Sequence, residues 1–150
     1  MLILDCFILA ISITGRSKDC LRTKYPKYSG VIVDLYYDHF LAAGFSHYSQ
    51  VSLQQFSEDN YRILKDNWNV LPPRVHYFLP FMMERNWLLN YATIEGIGNA
   101  LRGLSKRVSF ENKMDESVYD LQERYEEFEK DFSEFFPELV KFVQMKREAQ

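Results

Sequence analysis

The chain has 150 residues, of which 47% are hydrophobic and 16% aromatic, and its formal net charge is −3. This composition excludes a disordered chain, and the length is that of one domain with a sizeable core. The charge is unevenly spread: residues 16–27 are basic, whereas residues 111–138 hold eleven acids against three basic side chains. The acidic run argues against a nucleic-acid binder, and we interpret it as a solvated face.

The N-terminal stretch, residues 1–16, is atypical and carries no recognisable targeting signal. Met1–Thr14 is apolar, but it is too short to span a bilayer and lacks the basic region of a signal peptide. We expect an irregular or short helical segment there. Cys6 and Cys20 show neither metal-ligand spacing nor a disulfide framework. The sequence therefore predicts no membrane partner and a cytoplasmic location.

The rest of the chain shows apolar residues at helical spacing, which predicts an all-α fold, a compact multi-helix bundle in a single domain over residues 1–150. Ser52 and Gln55 form a capping-box pattern, and Gly44 stands where a left-handed residue ends a helix. Gly96 should let another element approach closely, and Pro137 should start the closing helix. The predicted helices cover residues 17–24, 28–44, 53–68, 73–84, 87–91, 94–104, 116–135 and 137–146.

The predicted helix 28–44 carries the candidate site. Asp34 and Asp38 are four residues apart, which places them on one helical face, and His39 follows directly. Carboxylates near an apolar stripe are costly unless solvated, paired or bound to a cation, and aspartate with imidazole suits a divalent metal. The alternative is that the carboxylates lie on a solvated flank and His39 caps a hydrogen-bond network. Spacing alone favours this alternative. His47 and His76 match no ligand spacing, so we interpret them as structural residues.

Three stretches together resemble the acyl carrier protein phosphodiesterase family, from about residue 17 to residue 143. They are SKDCLRTKYPKYSGVIVDLYYDHFLA, WLLNYATIEGIGNALRGLSKR and YDLQERYEEFEKDFSEFFPEL. The resemblance implies an all-helical fold similar to a divergent HD-type hydrolase. It also implies hydrolysis of holo acyl carrier protein, which releases 4′-phosphopantetheine and the apo carrier protein. The cofactor implied is a divalent metal, Mn²⁺ in the first place and Mg²⁺ as the second candidate.

The family's D-H-F-L motif falls on residues 38–41. The resemblance therefore implies that Asp34, Asp38 and His39 are catalytic and that Asp38 and His39 bind the metal. A bound divalent ion lowers the pKa of its water and neutralises charge on phosphoryl oxygens, which suits hydrolysis of a phosphodiester.

A second basic cluster lies at the end of the predicted helix 94–104, where cations also complement the helix dipole. It consists of Arg102, Lys106 and Arg107. With the basic run 16–27, the resemblance implies that this cluster meets the acidic carrier protein and steers the encounter.

Family members typically begin with an additional segment that carries N-F-L-A-H-like, G-x-x-x-x-D-F and H-R-x-I-D motifs. None of these is found in the sequence, and residues 1–16 do not resemble that segment. We therefore expect an N-terminally truncated member with weak or no phosphodiesterase activity. The competing expectation is a catalytically incompetent helical module, which binds acyl carrier protein or self-associates through exposed apolar surface.

Overall fold

The computed structural model describes residues 15–109 and 112–148, so the expectation for Met1–Thr14 lies outside the described residues. Within these ranges the chain forms eight α-helices and no strand, which confirms the all-α prediction. No helix in the described ranges is long and apolar enough to cross a bilayer. The helices are α1 (Gly15–Arg22), α2 (Ser29–Ala43), α3 (Leu53–Asp66), α4 (Pro73–Glu84), α5 (Trp87–Asn90), α6 (Ile94–Ser105), α7 (Ser117–Glu123) and α8 (Tyr125–Glu148).

The described residues fall into two compact units. The first unit contains the residues up to 37 together with those from 98 onward, and the second unit contains residues 38–97. Both boundaries lie inside helices, in α2 and in α6. The single domain over residues 1–150 stays a prediction.

Aromatic side chains of α2 and α8 lie in the core of the first unit. The ring of Tyr36 meets that of Phe128 edge-on at a centroid distance of 4.9 Å. Tyr37 lies against Phe132 and Phe135, with both centroid distances at 5.5 Å. Edge-on and offset contacts are the arrangements that aromatic quadrupoles favour, so these pairs hold α2 against α8 in a defined orientation.

Polar contacts join the basic N-terminal run to the acidic run within the first unit. Arg16 lies 3.1 Å from Asp131, and Ser17 Oγ donates to the same carboxylate over 2.6 Å. Lys24 Nζ lies 2.9 Å from Asp120. The interpretation of residues 111–138 as a purely solvated face is therefore wrong at Asp120 and Asp131. These two carboxylates have partners within the chain because α1 and the turn after it pack against α7 and α8.

The second unit is built around α3, α4 and α5. Tyr61 of α3 is buried, and its hydroxyl donates to the carbonyl of Met82 over 3.1 Å and accepts from the amide of Leu88 over 3.2 Å. The start of α3 is as predicted, because Ser52 Oγ accepts a hydrogen bond from the amide of Gln55 over 3.1 Å.

The predicted end of α2 at Gly44 is confirmed, but its predicted left-handed conformation is wrong, and so is the predicted helix start at Pro137. Gly44 follows the end of α2 but has a φ of −96°, so it is not left-handed, and the described residue with positive φ is Asn86 at 43°. Pro137 lies inside α8, and the helix break falls at Arg124, where φ is −119° and ψ is 32°. A proline removes one helical hydrogen bond, and the burial of Phe135 on the same helix helps to offset that cost.

Candidate functional site

Asp34 lies in the middle of α2, most of whose residues are buried. Its carboxyl is half-buried, and this burial raises its pKa from 3.8 to about 6, although the charge of Lys18 on α1 acts in the opposite direction. A carboxyl group with a pKa near 6 gains and loses a proton close to neutral pH. This is the property that general acid–base chemistry requires.

His39 is buried, with 2% of its surface exposed. Its Nδ1 lies 2.8 Å from the backbone carbonyl oxygen of Tyr91, just after α5. Because a carbonyl oxygen only accepts, Nδ1 must donate, and a neutral ring then carries its lone pair on Nε2. The contact agrees with the alternative in which His39 belongs to a hydrogen-bond network. It also fixes the orientation of the ring, as partners of metal-binding histidines commonly do.

Asp38 is half-buried and is the first residue of the second unit. It is on the same uninterrupted helix as Asp34, so the prediction that the two carboxylates share a helical face holds for the geometry of α2. Asp38 and His39 are consecutive, which separates their directions by about 100° around the helix axis. The catalytic roles of Asp34, Asp38 and His39 stay predictions.

A divalent metal ion would find suitable donor types at these positions, because carboxylate oxygen and imidazole nitrogen both bind Mn²⁺. The number of donor side chains, however, is small. The described ranges contain no group of three or more His, Cys, Asp or Glu side chains placed to hold a metal ion. The donor set from Asp38 and His39 therefore fits in type and is incomplete within the described part of the chain.

Arg102, Lys106 and Arg107 are all exposed at the end of α6 and just beyond it. Arg102 Nη1 donates to Asn99 Oδ1 over 2.9 Å, and Arg107 Nε donates to the carbonyl oxygen of Gly103 over 3.0 Å. These contacts are local to α6. They leave the predicted docking role a prediction.

The partner of His39 cannot be predicted from the sequence, because a backbone carbonyl carries no residue-type signal. His76 is predicted to be structural, and the structure agrees: its Nε2 lies 2.7 Å from the carbonyl oxygen of Trp68, and the two rings stack at 4.5 Å.

Comparisons with known proteins decide the family. A family model described as acyl carrier protein phosphodiesterase matches residues 3–139, and thus most of the chain. The chain belongs to this family. The match begins before residue 17, where the sequence analysis placed the start of the resemblance. The recognition of the family from the sequence is confirmed.

Curated relatives of the family are similar along most of the chain. Proteins named acyl carrier protein phosphodiesterase from Escherichia coli O139:H28 (strain E24377A), O9:H4 (strain HS) and strain K12 / DH10B are each 28% identical to it over 132 residues. The alignment covers 83% of this chain and 65% of each relative, so the chain spans about two thirds of the relatives' length. No solved structure matches the chain, and the HD-type fold stays a prediction.

Proposed function

We propose that this chain hydrolyses holo acyl carrier protein, releasing 4′-phosphopantetheine and the apo carrier protein. One observation carries the proposal: the family model for acyl carrier protein phosphodiesterase matches residues 3–139. The names printed for the curated relatives agree with it. The chain spans 65% of their length.

The proposed reaction uses the side chains of α2. Burial raises the pKa of Asp34 to about 6. Its carboxyl would therefore accept or donate a proton during hydrolysis of the phosphodiester. Asp38 and His39 would orient the attacking water, either directly or as ligands of a divalent ion, and the carbonyl of Tyr91 holds the ring of His39 in place. Positioning of this kind is a large part of phosphoryl-transfer catalysis.

Asp38 and His39 are also the proposed ligands of a divalent ion, Mn²⁺ or Mg²⁺, with further ligands from outside the described donor set. When bound, such an ion would supply charge neutralisation at the phosphoryl oxygens.

Docking of the acidic carrier protein is proposed at Arg102, Lys106 and Arg107, where three positive charges are exposed. Charge complementarity of this kind raises the association rate and favours the correct partner. A cytoplasmic location belongs to the same proposal.

The test is an assay in which holo acyl carrier protein and Mn²⁺ are incubated with the chain, and mass spectrometry follows the loss of the 4′-phosphopantetheine group. We expect apo carrier protein to accumulate more slowly than with the Escherichia coli relative, because the described donor set is incomplete. Asp34→Asn should reduce the rate further. The matched control is Asp66→Asn, at an exposed carboxylate of α3, which should leave the rate unchanged.

Two results would contradict the proposal. Absence of apo carrier protein, under conditions in which the relative converts its substrate, would show that this chain is not a phosphodiesterase by itself. Equal rates for the parent chain and Asp34→Asn would show that the residues of α2 are wrongly assigned.

A further inference from the structure

Helix α4 of the second unit has an aromatic stripe on its solvent side. Leu79 is 1% exposed and lies on the buried side of the helix. Tyr77 and Phe81, by contrast, are 77% and 50% exposed, and Pro80 is exposed as well. Aromatic residues are enriched in protein interfaces, and burying these rings would add the stabilisation that they lack in water. The stripe therefore has the composition of an interface core.

One charge of each sign flanks the stripe. Arg74 precedes Tyr77 by three residues, Glu84 follows Phe81 by three, and both charged side chains are exposed. At 100° per residue, the four side chains fall within about 80° around the helix axis, on the side opposite Leu79. Neither charge has an ion-pair partner within residues 15–109 and 112–148. The spacing is that of the a and d positions through which two helices pack.

The stripe is complementary to itself when two copies of α4 run in opposite directions. Positions 74 and 84 are equally far from position 79, and so are positions 77 and 81. A two-fold axis at position 79 therefore brings Arg74 opposite Glu84 of the second copy, and Tyr77 opposite its Phe81. Each contact then occurs twice, as in any interface with two-fold symmetry. Parallel helices would instead place like charges opposite each other, which is unfavourable.

We propose that two copies of this chain associate through antiparallel α4 helices, with Tyr77 and Phe81 at the centre and an ion pair between Arg74 and Glu84 at each end. A second copy is the occupant that the charge order favours, because the stripe carries both members of each pair. A contact made by one helix of 12 residues is small, so the dissociation constant should be on the order of 100 μM. The proposal does not depend on the phosphodiesterase activity, since α4 contains none of the candidate site residues.

Sedimentation equilibrium of the full chain, from about 5 to about 500 μM, tests the association over the range expected for a small interface. We expect monomers at the lower end and a growing fraction of dimers toward the upper end. The double variant Tyr77→Ser/Phe81→Ser should stay monomeric throughout, with its fold checked by circular dichroism. The matched control is Tyr119→Ser, at a tyrosine of the first unit that is 68% exposed, which should dimerise like the parent chain.

Charge exchange tests the antiparallel arrangement. Arg74→Glu alone, or Glu84→Arg alone, should weaken dimerisation by about tenfold, because two repulsive pairs replace two attractive ones. An equimolar mixture of these two single variants should dimerise like the parent chain, because one copy then offers two acids opposite two arginines of the other. The double variant Arg74→Glu/Glu84→Arg should also recover the parent's dimerisation.

Four outcomes would overturn the proposal. A chain that stays monomeric over the whole range would exclude a second copy as the occupant. Undiminished dimerisation of the Tyr77→Ser/Phe81→Ser variant would place the interface elsewhere. Equal dimerisation of the parent chain and the single charge variants would exclude the antiparallel pairing. A monomeric parent chain whose binding of acyl carrier protein is lost in the Tyr77→Ser/Phe81→Ser variant would make the stripe a contact for the carrier protein instead.

Discussion

The carbonyl group of Asn90 lies so close to the backbone of Gly96 that a side chain at position 96 has no room. A β-carbon built on Gly96 would be 1.9 Å from the carbonyl oxygen of Asn90 and 2.5 Å from its carbonyl carbon. The first turn of α6 can approach the end of α5 this closely only with glycine at this position. The close approach that the sequence predicts at Gly96 is confirmed.

Gly96→Ala should therefore destabilise the protein by about 2 kcal/mol or more, because backbone atoms must move to admit the methyl group. Gly103→Ala, in the same helix, is the matched control. A β-carbon built on Gly103 would be 3.5 Å from Arg107 Nη2, which is at the end of a flexible side chain. There the better helix propensity of alanine should stabilise by up to about 1 kcal/mol. Urea unfolding measures both, and equal effects at the two sites would contradict the close approach.

His39→Ala should lower the free energy of unfolding by about 2 to 4 kcal/mol. The change leaves the carbonyl of Tyr91 without this donor and opens a cavity at a buried position. His39→Asn should lose clearly less, because its amide nitrogen can donate from near the position of Nδ1. Thermal and urea unfolding compare the three proteins. Equal losses in both variants would mean that the hydrogen bond contributes nothing beyond packing.

Asp34 should make the stability of the protein fall as the pH rises from about 4 to about 6. Burial raises the pKa of its carboxyl from 3.8 to about 6, so the folded state holds its proton more tightly than the unfolded state does. Ionisation above this range therefore disfavours the folded state. Asp34→Asn should be more stable than the parent chain by about 1 kcal/mol at pH 7, after allowance for solvent screening at a half-buried group.

This difference should vanish near pH 4, where the carboxyl is protonated in the folded protein. Chemical unfolding between pH 4 and pH 8 checks the profile. A parent chain whose stability, relative to Asp34→Asn, increases over this range would show that Asp34 is stabilised in its charged form instead.

Mn²⁺ binding should depend on Asp38 if the proposed ligands are correct. Calorimetric titration of the parent chain should give a weak signal, because an ion held by few protein donors keeps most of its waters. Asp38→Asn should abolish the signal while the helical circular dichroism spectrum is retained. Asp66→Asn, at an exposed carboxylate of α3, should bind like the parent chain. A signal of equal size in Asp38→Asn would place the ion elsewhere.

Charge reversal of the basic cluster should weaken binding of acyl carrier protein by about tenfold at low salt, since each exposed charge contributes modestly. The variant carries glutamate at Arg102, Lys106 and Arg107. The effect should shrink at high salt because mobile ions screen exposed charges. Surface plasmon resonance at two ionic strengths measures it. The control reverses three exposed charges of the second unit: Lys65, Arg74 and Arg85. An equal loss in the control would indicate a general charge effect without a defined docking face.

Local signals predicted the helices well where hydrogen bonding and periodicity within one segment decide the outcome. Helix α4 begins at Pro73 and ends at Glu84, as expected, and Ser52 caps α3 as the capping pattern predicted. The same rules failed at Arg124 and Pro137, because the choice between breaking and continuing a helix there depends on packing against other helices. The left-handed conformation predicted for Gly44 is not found, because α2 ends there with φ at −96°.

The sequence by itself determined the helical class, the family and the shared helical face of Asp34 and Asp38, because periodicity and motifs are properties of neighbouring residues. Only the tertiary structure decided the surroundings of these side chains. The carbonyl that meets His39 is 52 residues away along the chain, and Asp131 is 114 residues from Ser17. Such partners, and the burial that raises the pKa of Asp34, arise when distant segments pack together, and no local pattern specifies which segments meet.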